Sequence, residues 1–253
     1  MRAVTEQSSH HAVVREEFER AAAVFAKRTE GRFDHLDVPG FSRVRAGDRV
    51  LEVGAGTGNF LSLFTSVAAQ LVAVDLTPGM LRVARERNPA MSLLTSDGAR
   101  LALASDSFDL VTSAHAVHHI PDPVPVFREM GRVTAPGGRV LVVDLTAPED
   151  PAEAARADEV MTIRDPSHAT SRTPDTLAGM LADAGLRIVD HRIVERTKHV
   201  SDWMWPGEFP EERIALVRGY VEEHWREIGM SMQPDGDDFT YVDRRMMFLA
   251  EPR

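Results

Sequence analysis

The stretch Val50-Leu51-Glu52-Val53-Gly54-Ala55-Gly56-Thr57-Gly58-Asn59 constrains the fold more than any other part of this 253-residue chain. An apolar run stops at three glycines set at alternate positions. An apolar segment then resumes with Phe60, Leu61, Leu63, Phe64 and Val67. That order predicts a buried strand, a tight turn and a helix. Glycine serves where φ must be positive or where a ligand must come close to the backbone. The turn also aims the free N–H groups of a helix start at whatever lies above it. The spacing is not that of the dinucleotide cradle G-x-G-x-x-G. The third glycine falls one residue early, and Asn59 stands where that pattern needs Gly or Ala. Glu52 lies two residues before the first glycine. A pyrophosphate gains nothing from a carboxylate there, whereas a ligand with a cationic amine does.

The same alternation continues downstream. Leu71-Val72-Ala73-Val74 is a second apolar run and ends at Asp75, about twenty residues past the glycine turn. In a doubly wound sheet that acid sits at the tip of the adjacent strand, where a carboxylate accepts hydrogen bonds from ribose hydroxyls. Thr77-Pro78 is a helix start that competes for the same acid as a cap. The helix over 79–87 stops at Asn88-Pro89. Met91 to Thr95 forms a third strand and runs into Ser96-Asp97-Gly98-Ala99, which without a ligand would be an ordinary Asp-Gly turn. A fourth strand runs from Phe108 to about Ser113. Ala114-His115-Ala116-Val117-His118-His119-Ile120 follows as a loop, and Asp122-Pro123 opens a helix whose buried face is Val126, Phe127, Met130 and Val133. After the sharp turn Ala135-Pro136-Gly137-Gly138, Arg139 to Val143 makes a fifth strand ending at Asp144. Strands and helices alternating at these lengths mean a parallel sheet with helices on both faces.

Glu52 with its three glycines, Asp75, Asp97, the Ser107-Phe108-Asp109-Leu110-Val111 entry to strand four, the His118-His119 pair and the Pro136-Gly137-Gly138 turn stand in a familiar order and spacing. Over about Arg45 to Asp150 the chain resembles class I S-adenosylmethionine (SAM) methyltransferases of the type-11, ubiquinone/menaquinone-biosynthesis-like family. Where the family pattern has Arg and an aromatic before the His pair, this chain has Ala114 and His115. The resemblance implies a Rossmann-like, doubly wound α/β sheet of seven strands, mostly parallel with the last strand antiparallel. It implies SAM as cofactor and S-adenosylhomocysteine as product. It assigns the cofactor to Glu52, Gly54, Gly56, Gly58, Asp75, Leu76, Met80, Asp97, Gly98, Ala99 and Ser113. Asp97 would meet the adenine amine, and the Gly98–Ala99 backbone a ring nitrogen. Arg164-Asp165-Pro166-Ser167-His168 looks like an active-site loop of one bacterial branch, which makes Arg164 and His168 substrate candidates.

Ligands of such sheets gather at the carboxyl ends of the strands where strand order reverses. The glycine turn, His118-His119 and Asp144 should therefore converge. Histidine has the pKa of a general base near neutrality, and a carboxylate can orient its ring. The expected catalytic set is His118 or His119 as base with Asp144 as partner. Neighbouring residues in a loop point apart, so one ring should face the substrate and the other should pack. His115, His118, His119, Asp122 and Asp144 could also be read as metal ligands. Pro121 and Pro123 make the segment a loop rather than a chelating helix face, so no metal is expected.

The ends are less regular. Met1 to His11 is polar and reads as frayed. Val14 to Arg28 is an amphipathic helix, with Phe18, Ala21, Ala22 and Phe25 on one face, that either packs on the core or covers the cofactor. Residues 1–45 are taken as an N-terminal helical lid. Residues 46–253 are taken as the SAM-binding domain, with substrate-side insertions at about 148–180 and 200–235. Thr173 to Ala184 reads as a helix, Leu186 to Val194 as strand six, Glu211 to Glu227 as a helix and Phe239 to Leu249 as the last strand. Ser201 to Tyr241 contains Trp203, Trp205 and Trp225. These either close the core of an appended helical segment or line an apolar substrate pocket or a homodimer contact, with Trp203 the substrate candidate.

Composition narrows the function. A net charge of −10 argues against nucleic acid as the main ligand. The absence of cysteine excludes thiol catalysis and disulfides and fits a cytoplasmic setting. No apolar run is long enough to span a membrane, and the N-terminus lacks a signal-peptide core. The leading expectation is methyl transfer to a small-molecule hydroxyl. The alternatives are a cyclase or rearrangement enzyme that binds SAM without transferring methyl, and a non-catalytic SAM-binding protein. A nicotinamide oxidoreductase is disfavoured by Asn59 and Glu52.

Overall fold

The computed structural model describes residues 2–204 and 209–253, so Trp205 lies outside the described residues. The elements run in the order α1 (Arg2–Arg28), α2 (Val38–Ser42), β1 (Arg49–Val53), β2 (Gln70–Asp75), α3 (Pro78–Arg87), β3 (Ser92–Thr95), β4 (Phe108–Ala114), α4 (Val124–Val133), β5 (Thr134–Leu145), α5 (Pro151–Arg164), α6 (Pro174–Asp183), β6 (Leu186–His199), α7 (Val200–Trp203), α8 (Glu211–His224), β7 (Gln233–Asp235) and β8 (Asp238–Pro252). One sheet holds all strands in the order β3-β2-β1-β4-β5-β8-β6, with β7 paired to β8 off that path. Neighbours from β3 to β5 are parallel, and β8 is antiparallel to both β5 and β6. This is the expected doubly wound sheet with eight strands instead of seven. The extra strand, β7, is three exposed residues completing a hairpin, too short and too polar to register as an apolar run. Strand order reverses between β1 and β4, which places the crevice at their carboxyl ends.

Three apolar clusters follow from strand alternation. Leu51, Val53, Val111, Val140 and Val142 face α4 and α6 through Val126, Phe127, Met130 and Leu177. Val50, Leu110, Leu141 and Val143 face the other side, against Phe33, Phe41, Phe60 and Phe64. A third cluster joins α5, α7 and α8 around Met161, Val200, Trp203, Phe209, Val217 and Tyr241. Trp225 packs on its edge. The segment beyond residue 200 therefore has its own small core.

Four local expectations change. The helix after the glycine turn is only a 3₁₀ turn, Leu61–Phe64. Gly58 stands at φ +75° just before it, and the Ser62 hydroxyl bonds back to the Gly58 carbonyl, so the chain turns rather than propagates. The Pro136-Gly137-Gly138 turn is absorbed into β5 as a bulge, where the register against β4 jumps from Phe108–Thr134 to Leu110–Arg139. Helix α1 begins at Arg2, so the segment expected to fray is helical. His118 and His119 lie on a 3₁₀ turn, Val117–His119, whose rotation keeps the rings together at 4.1 Å between centroids instead of apart. Among the described residues no helix is long and apolar enough to cross a membrane.

Candidate active site

A cleft with about 1160 Å³ of empty space, open solvent included, opens at the carboxyl ends of β1, β2 and β3. Its floor carries Glu52, Asp75 and Asp97, and its walls include Gly54, Gly56, Leu76, Met80, Gly98 and Ala99. A side chain at Gly54 (φ +76°) would drive its Cβ to 2.5 Å from that of Ala116. At Gly56 (φ +53°) a Cβ would meet nothing within 4 Å, so that backbone faces open cleft. Gly58 does not line the cleft. Its missing side chain makes room for Met91, whose sulfur would lie 3.1 Å from a Cβ. Ser113 does not reach the cleft either. Alternation along β4 turns it to the side of Val111, where its hydroxyl has no hydrogen-bond partner.

The three acids are braced from one side only. Asp75 Oδ2 accepts from the Gly56 N–H at 2.7 Å and its Oδ1 from the Thr77 N–H at 2.8 Å. A carboxylate has about four acceptor positions, so these two bonds do not exhaust it. Asp97 Oδ1 accepts from the Ala99 N–H at 2.9 Å, and among the described residues its other oxygen accepts no hydrogen bond. Glu52 is almost wholly buried, and among the described residues only the Leu61 N–H, at 3.0 Å, bonds its carboxylate. Burial pushes its pKa well above the carboxylate range, and Asp75 adds to the push. Burial raises Asp75 too, against the bonds from Thr77 and Gly56. A buried Glu52 and a half-buried Asp75, both shifted upward beside an apolar cleft, suit a ligand with a positive charge at one end and a diol in the middle.

Helix α1 roofs the cleft with Val14, Phe18 and Phe25. Polar contacts hold it down. Glu19 accepts from the Gly79 N–H at 2.8 Å and pairs with Arg82, and Glu17 pairs with Arg213 of α8 at 3.1 Å. His10 Nε2 lies 2.7 Å from the His119 carbonyl.

A second cavity, with about 750 Å³ of empty space, adjoins the first. Phe18, Phe25, Arg32, His115 and His119 line both. His118 faces this second cavity. Its Nδ1 lies 2.6 Å from Asp144 Oδ1, while Asp144 Oδ2 accepts from the His118 backbone N–H at 2.9 Å. Burial works to raise Asp144, but the charge and hydrogen bond of His118 outweigh it and hold the acid below its usual range. His119 is anchored differently: its Nδ1 is 3.0 Å from both the carbonyl and the hydroxyl of Ser167. Burial and the charge of His118 depress its pKa to about 3. His115, at φ +52°, is likewise pushed well below the ordinary value by burial and by Arg245 and Arg32. Donor atoms of His115, His118 and Asp144 lie within 4.8 Å of one another. The Nδ1 of His118 and both oxygens of Asp144 are already engaged in hydrogen bonds.

The expected substrate residues separate. Arg164 and Trp203 line the second cavity, the guanidinium lying 5.2 Å from the Trp203 ring centre and 4.9 Å from that of Phe209. His168 lines neither cavity. It is buried with Nε2 on Asp158 at 2.8 Å, and Asp158 also takes the Thr170 hydroxyl and the Ser171 N–H, so His168 ties its loop to α5. The sequence reading missed Arg32, Lys198, Asp243 and Arg245 on the second cavity. A trace of them was there: Asp243 and Arg245 are opposite charges two apart in one strand, hence on one face.

An open α/β sheet with an acid-lined cleft at its topological switch point is the arrangement in which doubly wound folds bind nucleotide-type ligands. A family model described as a methyltransferase domain matches residues 51–142. A demethylmenaquinone methyltransferase of Mycobacterium sp. (strain KMS) is 35% identical over 184 residues, 72% of this chain and 71% of that one. YcgJ of Bacillus subtilis, described as an uncharacterized methyltransferase, is 31% identical over 180 residues, 68% of this chain and 70% of that one. Its crystal structure superposes with a TM-score of 0.77 at 24% identity, covering 85% of this chain and 95% of that one. Against a demethylmenaquinone methyltransferase of Streptomyces griseus the match is 36% over 104 residues, 41% of this chain, and spans only 45% of the relative's length. The chain belongs to the class I SAM-dependent methyltransferases of the type-11 family.

Proposed function

We propose that the protein transfers a methyl group from SAM to a small-molecule acceptor, with a hydroxyl as nucleophile and His118 as general base. One observation carries this reading. A cleft floored by three half-braced carboxylates shares a wall with a cavity holding a His118–Asp144 pair. In it, Glu52 takes the cofactor's amine, Asp75 its ribose hydroxyls and Asp97 its adenine amine. SAM supplies, when bound, a methyl on a cationic sulfur and leaves as neutral S-adenosylhomocysteine.

The remaining task falls to the chain. Asp144 fixes the His118 ring with Nδ1–H toward the carboxylate, which leaves Nε2 as the acceptor of a proton. His118 Nε2 would take the proton of an acceptor O–H held at the shared wall, freeing that oxygen to receive the methyl that the sulfonium gives up. Asp144 then stabilises the imidazolium. His119, depressed to about 3, resists protonation and serves as a neutral hydrogen-bonding wall. Helix α1 excludes water from the shared wall, and orientation is the larger contribution. The kinship with demethylmenaquinone methyltransferases favours a second reading, methylation at an acidic ring carbon. It uses the same base.

The test is calorimetric titration with S-adenosylhomocysteine, followed by incubation with metabolite extract and methyl-labelled SAM. Micromolar binding and a labelled small product support the reading. Binding with no release of S-adenosylhomocysteine in any extract would point to the cyclase or scaffold alternative.

A further inference from the structure

The second cavity contradicts the charge of the molecule. The chain carries a formal −10, yet Arg20, Arg28, Arg32, Arg164, Lys198 and Arg245 face this cavity against three carboxylates, Glu17, Asp165 and Asp243. The carboxylates are already engaged. Asp243 is shared by Lys198 and Arg245, and Glu17 by Arg20 and Arg213. Asp165 takes the Ser167 hydroxyl at 2.5 Å and its N–H at 2.9 Å.

Two of these cations, Arg32 and Arg164, meet Asp243 and Asp165 only at longer range, and Arg164 Nε donates to the Trp203 carbonyl at 3.3 Å. Among the described residues, neither Arg32 nor Arg164 has a carboxylate within ion-pair distance. Arg32 lies 5.8 Å from the Phe25 ring centre, and Arg164 rests on Trp203 and Phe209. Burial, with Arg28, Arg245 and Arg164 nearby, depresses Arg32 to about 9. Like charges gathered out of water are costly unless a counter-charge joins them. The neighbouring rings of Phe18, Phe25, Trp203 and Phe209 give the same cavity an apolar lining.

We propose that this cavity seats an acceptor made of an apolar body and an anionic group, the anion gripped between Arg32 and the terminal nitrogens of Arg164. The proposal rests on the methyl-transfer reading, which places the acceptor here, and goes beyond it by naming the acceptor's chemistry. A guanidinium pair recognises carboxylate, phenolate, sulfonate or phosphate by the same charge-assisted hydrogen bonds. One rival source of negative charge is the carboxylate of the cofactor itself, because Arg32 borders both cavities.

The experiment uses two probes of one shape, 8-anilinonaphthalene-1-sulfonate and its uncharged parent N-phenyl-1-naphthylamine. Both are titrated by fluorescence into protein saturated with S-adenosylhomocysteine. The sulfonate should bind about tenfold more tightly than the parent. Arg32→Gln and Arg164→Gln should each abolish most of that preference while the parent's affinity holds, and Arg32→Lys should restore part of it. Affinity for S-adenosylhomocysteine, unchanged within about twofold in each variant, reports an intact cleft. Equal binding of the two probes to the wild type overturns the proposal. So does an Arg32→Gln variant that loses S-adenosylhomocysteine but keeps the sulfonate preference, since Arg32 would then serve the cofactor. Failure of the wild type to bind S-adenosylhomocysteine at all strikes the methyl-transfer reading instead.

Discussion

The two cavities meet at one wall but are built in opposite ways. The cofactor cleft draws its acids from three consecutive strand ends between Glu52 and Asp97, each braced by a backbone N–H at most nineteen residues away. The second cavity draws on α1, α5, β6, α7 and β8, with contacts such as Glu17–Arg213 and Arg245 to the Arg32 carbonyl spanning about two hundred residues. One is acidic, the other cationic. The difference teaches that the cleft is a property of the sheet, whereas the acceptor cavity is a property of how the appended helices fold over it.

Substitutions should divide along that wall. The largest effect is expected from His118→Ala, with turnover falling about 10²–10⁴-fold and affinity for S-adenosylhomocysteine unmoved. Asp144→Asn should fall in the same band because the ring loses its orienting carboxylate. Asp75→Ala should do the reverse, weakening S-adenosylhomocysteine by about 10- to 100-fold through lost charge-assisted bonds. If either variant moved both quantities equally, the two cavities would not be separable units.

Smaller effects sharpen the contrast. Gly58→Ala forces a side chain into a left-handed backbone against Met91 and should cost about 1–2 kcal/mol in denaturant unfolding, with little change in cofactor affinity. Acid should loosen the acceptor side. The His119 pKa is about 3 in the folded chain and about 6.5 unfolded, so between those values the unfolded state binds more protons. Stability is then full above about pH 6.5 and falls as pH drops toward 3. Asp165, held at about 2 where burial is outweighed by the charges of His119 and Arg164, is lost in the same direction below about 3.8. Thermal melts between pH 7 and 4 should show the loss, and His119→Asn should flatten its upper part. Smallest of all, a chelator should leave turnover unchanged, because the donors nearest His115 are taken by hydrogen bonds; inhibition reversed by added metal would contradict that.

The same contrast decides what the sequence made legible. That Glu52, Gly54, Gly56, Asp75 and Asp97 would meet in one cleft was readable because strand, turn and acid follow one another locally. Gly58 belongs to that pattern but serves packing against Met91, a distinction only the tertiary neighbour reveals. His168 looked like a substrate residue because its loop does approach the site, yet its ring turns back to Asp158. Arg32 could not have been recognised, since an arginine past the end of a surface helix looks solvated until α1 folds back over β1.

β8 has a dual position. It is the seam joining β5 to β6, and Tyr241, Asp243 and Arg245 along it face the acceptor cavity. Any drift in acceptor preference that altered these residues would also tug at the strand holding the sheet's outer edge. Diversification among descendants should therefore concentrate on α1, α5 and α7, leaving β8 conservative for reasons unrelated to the chemistry it borders.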